Sequence, residues 1–274
     1  MNNLDKKTVY SFGKEWEKFT YSNVDSDIVK IFENYFKIFP KKTLNKSSIG
    51  FDMGCGTGRW AKFIAPNIKK LYCIDPSIDA LNIAKKNLSK LDNCIFLNQD
   101  CNSFNIKNDT MDFGYSIGVL HHVPDTKKGL INCVKKLKKG SPFLLYLYYN
   151  LDNRGFLYKF IWYISNYFRI FISVLPFKLK LILTNLIAYL IYMPWIKFLK
   201  ILNYFNFKTK YLPLSFYIDK NSYIIKTDSL DRFGTRLEKR FSKKEIETLM
   251  LKSGLSNISF HNESPYWIAL GFKK

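Results

Sequence analysis

The chain is short of acid and nearly without histidine. Twenty-two Asp and Glu stand against 43 Lys and Arg, and 274 residues hold three histidines. His121, His122 and His261 are therefore the whole stock of imidazole, and no metal site is expected from them. Cysteine is also sparse. The five residues, Cys55, Cys73, Cys94, Cys101 and Cys133, are odd in number, form no CxxC pair and all fall in the first half. That pattern excludes a disulfide framework or a zinc ribbon and suits a reducing cytosol. The opening MNNLDKKTVYSFGKEW has no apolar core, so no signal peptide is expected. Internal repeats and low-complexity linkers are lacking too. The longest uncharged run in the most apolar region, Leu181 to Ile196, is 16 residues with Pro194 near its end. A membrane-spanning helix needs about 20 apolar residues, so a span is not favoured there.

The formal charge of +21 admits two readings. One is a polyanionic partner, nucleic acid or an anionic membrane. The other is the Lys-, Asn- and Ile-rich composition of an AT-rich genome, which puts lysine on solvated faces. Overall charge favours the second, and only charge confined to one segment is informative.

From Ile49 to about Tyr149 short apolar runs alternate with amphipathic ones. SIGFDMG, KLYCID, NCIFLNQD, MDFGYSIGV and PFLLYLYY predict five strands. Arg59–Ala65, Asp79–Leu91 and Lys127–Lys138 predict helices, the last stopped by Gly140. Alternation at this spacing implies parallel βαβ units. Before it come a polar arm and a helix over Asp27–Phe39 ended by Pro40, with Ile28, Ile31, Phe32, Tyr35 and Phe36 on one face. After it, residues 154–212 hold nine Lys or Arg, no Asp or Glu, and many aromatic and aliphatic residues. SKKEIETLMLKSG then reads as a helix capped by Ser242, with Glu245 three residues on and Gly254 at its end. SNISFHNE and YWIALGFKK read as an antiparallel strand pair. The divisions are 1–48, arm and helix; 49–153, core; 154–240, helical insertion; and 241–274, which completes the core.

The densest local signal is Phe51-Asp52-Met53-Gly54-Cys55-Gly56-Thr57-Gly58-Arg59-Trp60: a buried strand, a Gly-x-Gly-x-Gly turn, then a helix. Glycine there permits positive φ and lets a ligand press on the backbone. The dinucleotide fingerprint spaces its glycines GxGxxG, so GxGxG after an acid argues against a pyrophosphate. Asp75 ends the second strand, 19 residues after Gly56, where an acid accepts from ribose hydroxyls. Asp100-Cys101 follows the third strand, where an adenine edge would fall. Open α/β sheets bind ligands at these carboxyl ends.

FDMGCGTGRW, IDPS, NQDCNSF, MDFGYSIGVLHHVPD and LKKGSPFLLYLYY, taken in order, resemble the class I S-adenosylmethionine (SAM)-dependent methyltransferases, in particular the group with an LHHVPD-type turn after the fourth strand. The resemblance covers about residues 49–150. It implies a Rossmann-like, mostly parallel seven-stranded α/β sheet of order 3-2-1-4-5-7-6 with strand 7 antiparallel, and SAM as cofactor. It places Gly54, Cys55, Gly56 and Gly58 along the methionine end, with Asp52 supporting the loop. Asp75 takes the ribose, Asp100 and Cys101 flank the adenine, and Ile117 and Gly118 close over the amino acid moiety. Ser11-Phe12-Gly13-Lys14-Glu15-Trp16 resembles a segment that folds back over the cofactor in some of these enzymes.

A general base is needed only where the acceptor is a protonated, weakly acidic group. His121 and His122, just past the fourth strand, are the candidates; His261 reads as structural. Asp228, Asp231 and Arg232, in the dense return segment 227–241, and Tyr149, after the fifth strand with Tyr148 and Asn150, are candidate acceptor contacts. Residues 154–212 admit a membrane-contacting lid, a cap over a hydrophobic or glycosyl substrate, or a dimerisation surface or anchor. The expectation is a cytosolic small-molecule methyltransferase, peripheral to a membrane in the first case, with a glycan, lipid-linked or other envelope-precursor acceptor. The rivals are an RNA methyltransferase and a non-catalytic SAM-fold scaffold at a membrane. Against nucleic acid stand the absence of a DPPY-type turn or Pro-Cys pair and a basic segment too apolar to track phosphates. Oligomeric state is open.

Overall fold

The computed structural model describes residues 3–21 and 26–274. The chain folds as two compact units: Met1–Asn150 with Leu237–Lys274, and Leu151–Arg236.

The first unit is built on one seven-stranded sheet of order β3-β2-β1-β4-β5-β7-β6. Its strands are β1 (Ile49–Met53), β2 (Lys70–Ile74), β3 (Cys94–Leu97), β4 (Phe113–Ile117), β5 (Pro142–Tyr146), β6 (Leu255–His261) and β7 (Ile268–Lys273). The first five are parallel, and β7 pairs antiparallel with both β5 and β6. β4 and β5 are buried along their whole length, which explains why they read as continuous apolar runs rather than alternating ones. Of the sequence-predicted elements, the expected sheet order and the antiparallel last strand are present.

The helices of this unit are α1 (Lys6–Lys18), α2 (Ser26–Phe36), α3 (Ala61–Ile64), α4 (Ile78–Asn87) and α5 (Thr126–Lys136). On one side of the sheet Phe51, Met53, Phe143 and Leu145 pack with Leu130 and Val134 of α5. On the other, Phe36 of α2 meets Tyr115 edge-on at 5.2 Å, and Tyr35 meets Tyr146 at 5.0 Å. The segment read as a polar arm is in fact the helix α1. Asp5 caps it by accepting from the Thr8 amide at 2.8 Å, and its apolar positions Val9, Phe12 and Trp16 recur at helical spacing. Its polar composition hid that sparse stripe.

The second unit holds α6 (Phe156–Ser173), α7 (Phe177–Ile187), α8 (Met193–Tyr204) and α9 (Ser222–Gly234). One wide π-helical turn, Ala188–Tyr192, joins α7 to α8, so that Phe177–Tyr204 is one helix of 28 residues. Pro194 ends nothing: it occupies the first turn of α8, where its missing N–H and fixed φ are tolerated. By length and composition this one helix could cross a membrane, although the uncharged run in the sequence is shorter than a span. A small core of Ile172, Ala188, Tyr192, Ile196, Ile225 and Phe233 holds the unit.

The chain leaves and rejoins the first unit at one point. Asn150 N donates to Phe241 O at 3.0 Å, and Phe241 N donates to Tyr148 O at 2.8 Å. Two residues later α10 (Lys243–Lys252) begins with a reciprocal cap: Glu245 N donates to Ser242 Oγ at 3.2 Å, and Ser242 N donates to Glu245 Oε2 at 2.7 Å. Ser242→Ala is expected to lower the unfolding free energy by about 1 kcal/mol, read from the urea midpoint followed by circular dichroism.

Candidate active site

The five parallel strands end at one edge, and the turns beyond them carry Asp75, Asp100, His121 and His122. After β1 the chain turns through Gly54, Gly56 and Gly58, whose φ values are +81°, +53° and +74°. A Cβ at Gly54 would also lie 2.4 Å from the Val119 side chain, so this residue is constrained by both conformation and space. At Gly56 the neighbour is the Trp16 indole of α1, 3.4 Å from the position a Cβ would take.

Asp75, just beyond β2, fastens that turn. Its Oδ2 accepts from Gly56 N at 2.9 Å and its Oδ1 from Ser77 N at 2.8 Å. Each oxygen keeps a second lone pair for a hydroxyl donor. Burial raises this carboxyl from 3.8 to about 6, and the two backbone N–H bonds offset part of the rise. Asp52 lies inside β1, in register with Cys73 on one side and Tyr115 on the other. Burial holds its carboxyl well above the ordinary carboxylate range, with the Tyr115 hydroxyl pulling it back. Asp52 thus acts from beneath the loop. Cys55 is buried in the loop, and burial pushes its thiol up to about 11.

After β3, Asp100 Oδ1 accepts from Asn102 N at 2.7 Å. Cys101 is buried, its carbonyl accepting from Asn132 Nδ2 at 3.1 Å. After β4, Ile117 is followed by Gly118 at φ +76° and a short turn, Leu120–His122. Both histidines of that turn are buried. Their rings lie 3.9 Å apart, and the His121 ring is also 3.9 Å from that of Tyr148. Burial holds the His121 imidazole well below its ordinary range, with His122 and Arg240 adding to the effect, so it is neutral at pH 7. Neither of its ring nitrogens has a hydrogen-bond partner among the described residues. Nδ1 of His122 lies 2.6 Å from Leu237 O. A carbonyl only accepts, so Nδ1 carries a proton and donates it.

The return segment supplies residues that the sequence analysis did not single out. Arg240 Nε donates to the buried Glu238 carboxylate at 2.7 Å, its NH1 donates to Tyr149 O at 3.1 Å, and its guanidinium lies 5.3 Å from the Tyr148 ring centroid. The signal was the i, i+2 spacing of Glu238 and Arg240, which in extended chain puts both on one side. Tyr149 itself packs on Tyr266 at 5.4 Å; Tyr148, its neighbour, faces the histidines. Asp228, Asp231 and Arg232 lie in α9 of the second unit. There Asp228 accepts from the Tyr217 hydroxyl at 2.9 Å, Asp231 accepts from Thr235 Oγ1 at 3.2 Å, and Arg232 donates to Ser165 Oγ at 3.1 Å.

α1 links the cofactor turn to the histidines. Trp16 lies against Gly56, and Phe12, one turn earlier, is 4.8 Å from the His122 ring.

This seven-stranded sheet, with its glycine turn and buried acids at the carboxyl ends of the strands, is the Rossmann-like methyltransferase fold. The methyltransferase domain family matches residues 51–140. A probable cobalt-precorrin-6B C(15)-methyltransferase (decarboxylating) of Archaeoglobus fulgidus is 33% identical over 67 residues. That match covers 24% of this chain and 40% of the relative's length. Among solved structures, a SAM-dependent methyltransferase and possible histamine N-methyltransferase of Thermotoga maritima superposes with a TM-score of 0.51 at 16% identity, over 97% of this chain and 100% of that one. A chain from the Haloferax volcanii complex of the Trm112 methyltransferase activator with a methyltransferase gives 0.54 at 12% identity, over 99% of each. At these identities the two structures show the fold. The domain matched over residues 51–140 and the fold are those of the class I SAM-dependent methyltransferases, and the cofactor they point to is SAM.

The residues present fit that cofactor: a backbone cradle that side chains would fill, and a carboxylate with lone pairs to spare. Because the folded Asp75 carboxyl holds its proton more tightly than the unfolded one, the ligand-free protein loses stability as pH rises from about 4 to about 6. Ribose hydroxyls need the ionised form. Affinity for S-adenosylhomocysteine is therefore expected to fall about tenfold between pH 7.5 and pH 5, measured by calorimetry, with Asp75→Asn weaker throughout and flat across that range.

Proposed function

We propose that the protein transfers the methyl group of SAM to a small-molecule, glycan or lipid-linked acceptor of the kind found among cell-envelope precursors. One observation carries this reading: α1 touches both the cofactor turn, through Trp16, and the buried histidines, through Phe12. A buried imidazole thereby packs on the same helix that lies against the glycine turn.

SAM supplies an electrophilic methyl group on its sulfonium. The chain's own residues do the rest. Asp75 holds the ribose and the glycine turn together. Trp16 covers Gly56 and helps exclude water. One imidazole of the pair, His121 or His122, accepts the single proton that the acceptor releases as it attacks, while the other packs against it at 3.9 Å. Glu238 and Arg240 position Tyr148, and Tyr148 positions the His121 ring. For the acceptor class, support comes from the chain order: residues 151–236 follow β5 and present aromatic and aliphatic side chains rather than a dense phosphate-tracking surface.

Calorimetry is expected to show micromolar binding of SAM and S-adenosylhomocysteine, lost in Asp75→Ala; well-folded protein that binds neither would overturn the assignment. Against a panel of free sugars, glycolipids and polyprenyl-linked sugars, His121→Ala and His122→Ala are each expected to cut turnover about 100-fold while leaving S-adenosylhomocysteine affinity within about twofold. Unchanged turnover in both would remove the pair from the chemistry, and methylation of RNA alone would remove the acceptor class.

A further inference from the structure

The second unit is built inside out. A helix in a water-soluble unit turns its apolar side chains inward and its polar ones to solvent. In α6 the arrangement is reversed. Arg169 turns inward, its Nε donating to Asn166 Oδ1 at 2.7 Å and its NH1 to Thr235 O at 3.0 Å, and Ser165 accepts from Arg232 on α9. Meanwhile Phe156, Leu157, Phe160, Tyr163, Phe168 and Phe171 are between 51% and 83% exposed. α7 repeats the pattern. Lys180 is buried, its ammonium donating to Gly234 O at 2.9 Å, and Thr184 Oγ1 donates to Lys180 O at 2.8 Å. Ile182, Leu190 and Ile191 of the same long helix stand exposed. Outside this unit, only Tyr10, Ile78 and Leu251 among the described residues are large apolar side chains with comparable exposure. A soluble surface does not concentrate apolar area in this way without something to cover it.

The charge says what covers it. Residues 154–212 contain no acid, and Lys159, Lys178, Lys197, Lys200, Lys208 and Lys210 stand exposed among the apolar side chains. A second copy would bring lysine against lysine with no carboxylate to answer it. An anionic bilayer answers every one. The aromatic share of the exposed face suits the headgroup region, where amphipathic rings concentrate, better than the hydrocarbon centre. Exposed Lys197 and Lys200 within α8, and the ionic side chains of the short α9 behind it, suit a helix lying in the interface rather than crossing it.

We propose that residues 151–236 dock the protein on an anionic membrane surface. The outward faces of α6 and α7–α8 enter the boundary between headgroups and acyl chains, and the exposed lysines pair with lipid phosphates. The surface belongs to the second unit and does not depend on methyl transfer, which is read separately through cofactor binding by the first.

The test is flotation of the full chain with vesicles of phosphatidylcholine alone or mixed with phosphatidylglycerol. Flotation with the anionic vesicles that weakens as salt is raised is expected. Lys197→Gln with Lys200→Gln is expected to weaken it at least about tenfold, since each cation at an anionic leaflet contributes about a fivefold factor. Phe160→Ser, Phe168→Ser and Phe171→Ser together are expected to do the same at low salt. Each variant should bind S-adenosylhomocysteine and keep the helical circular dichroism of the parent, which together show that both units have folded. Three results would overturn the proposal: parent protein that binds S-adenosylhomocysteine yet floats with neither vesicle; a soluble dimer that the Phe variants convert to monomer; or membrane association that survives alkaline carbonate, which marks a spanning helix.

Discussion

One carboxylate holds the cofactor end of the sheet together. By accepting from Gly56 on one side and Ser77 on the other, Asp75 fixes the glycine turn after β1 to the start of α4. Gly54 and Cys55 donate to Ile74 O from the same turn, so the loop is bound to β2 by backbone and side chain together. The arrangement has a cost, because the acid is desolvated where its charge is wanted. A ligand that brings hydroxyl donors to the remaining lone pairs relieves that cost. The loop is therefore shaped by bonds internal to the protein, around an acid that the fold leaves under-solvated.

The two units solve opposite problems. The first hides its aromatic residues: Tyr115, Phe51, Phe113 and Phe143 are fully buried against the sheet. The second turns several ions inward, leaves its other lysines exposed and shows its rings. Arg169, Lys180, Asp228 and Asp231 all find partners inside it, and its apolar core is small. Charges placed in such an interior must be hydrogen-bonded to be tolerated, and they are, mostly to carbonyls at the end of α9 and to one another's neighbours. The polarity of a helix face is thus an instruction about its surroundings, and the two units read it for different surroundings.

Much of the first unit was legible in the sequence because its signals are local. Apolar runs punctuated by glycine mark β1 and β4, and Ser242 with Glu245 marks the start of α10. The glycine turn and Asp75 lie at strand ends whose positions follow from that alternation. What could not be read depends on which side of an element faces what. α1 hid behind a polar composition with three apolar residues at helical spacing. Tyr148 and Tyr149 are adjacent in sequence, yet one faces the histidines and the other packs on Tyr266, a difference settled by strand pleat alone. The charges of segment 227–241 divide between the two units, and the ones beside the histidines, Glu238 and Arg240, lie past the bend that divides them. The length of the helix across Pro194 was hidden because a wide turn absorbs the proline, which no window of hydropathy registers.

The closure between Asn150 and Phe241 has a consequence for how such a protein can change. The strand that leaves the sheet and the segment that returns to it are hydrogen-bonded neighbours, so the sheet is complete whatever lies between them. A segment inserted where its two ends already meet asks nothing of the host's core and little of its loop entropy. Residues 151–236 can therefore be lengthened, shortened or exchanged while the first unit stays as it is. The position of that closure makes the insertion a graft, free to change in length and surface without disturbing the sheet that carries it.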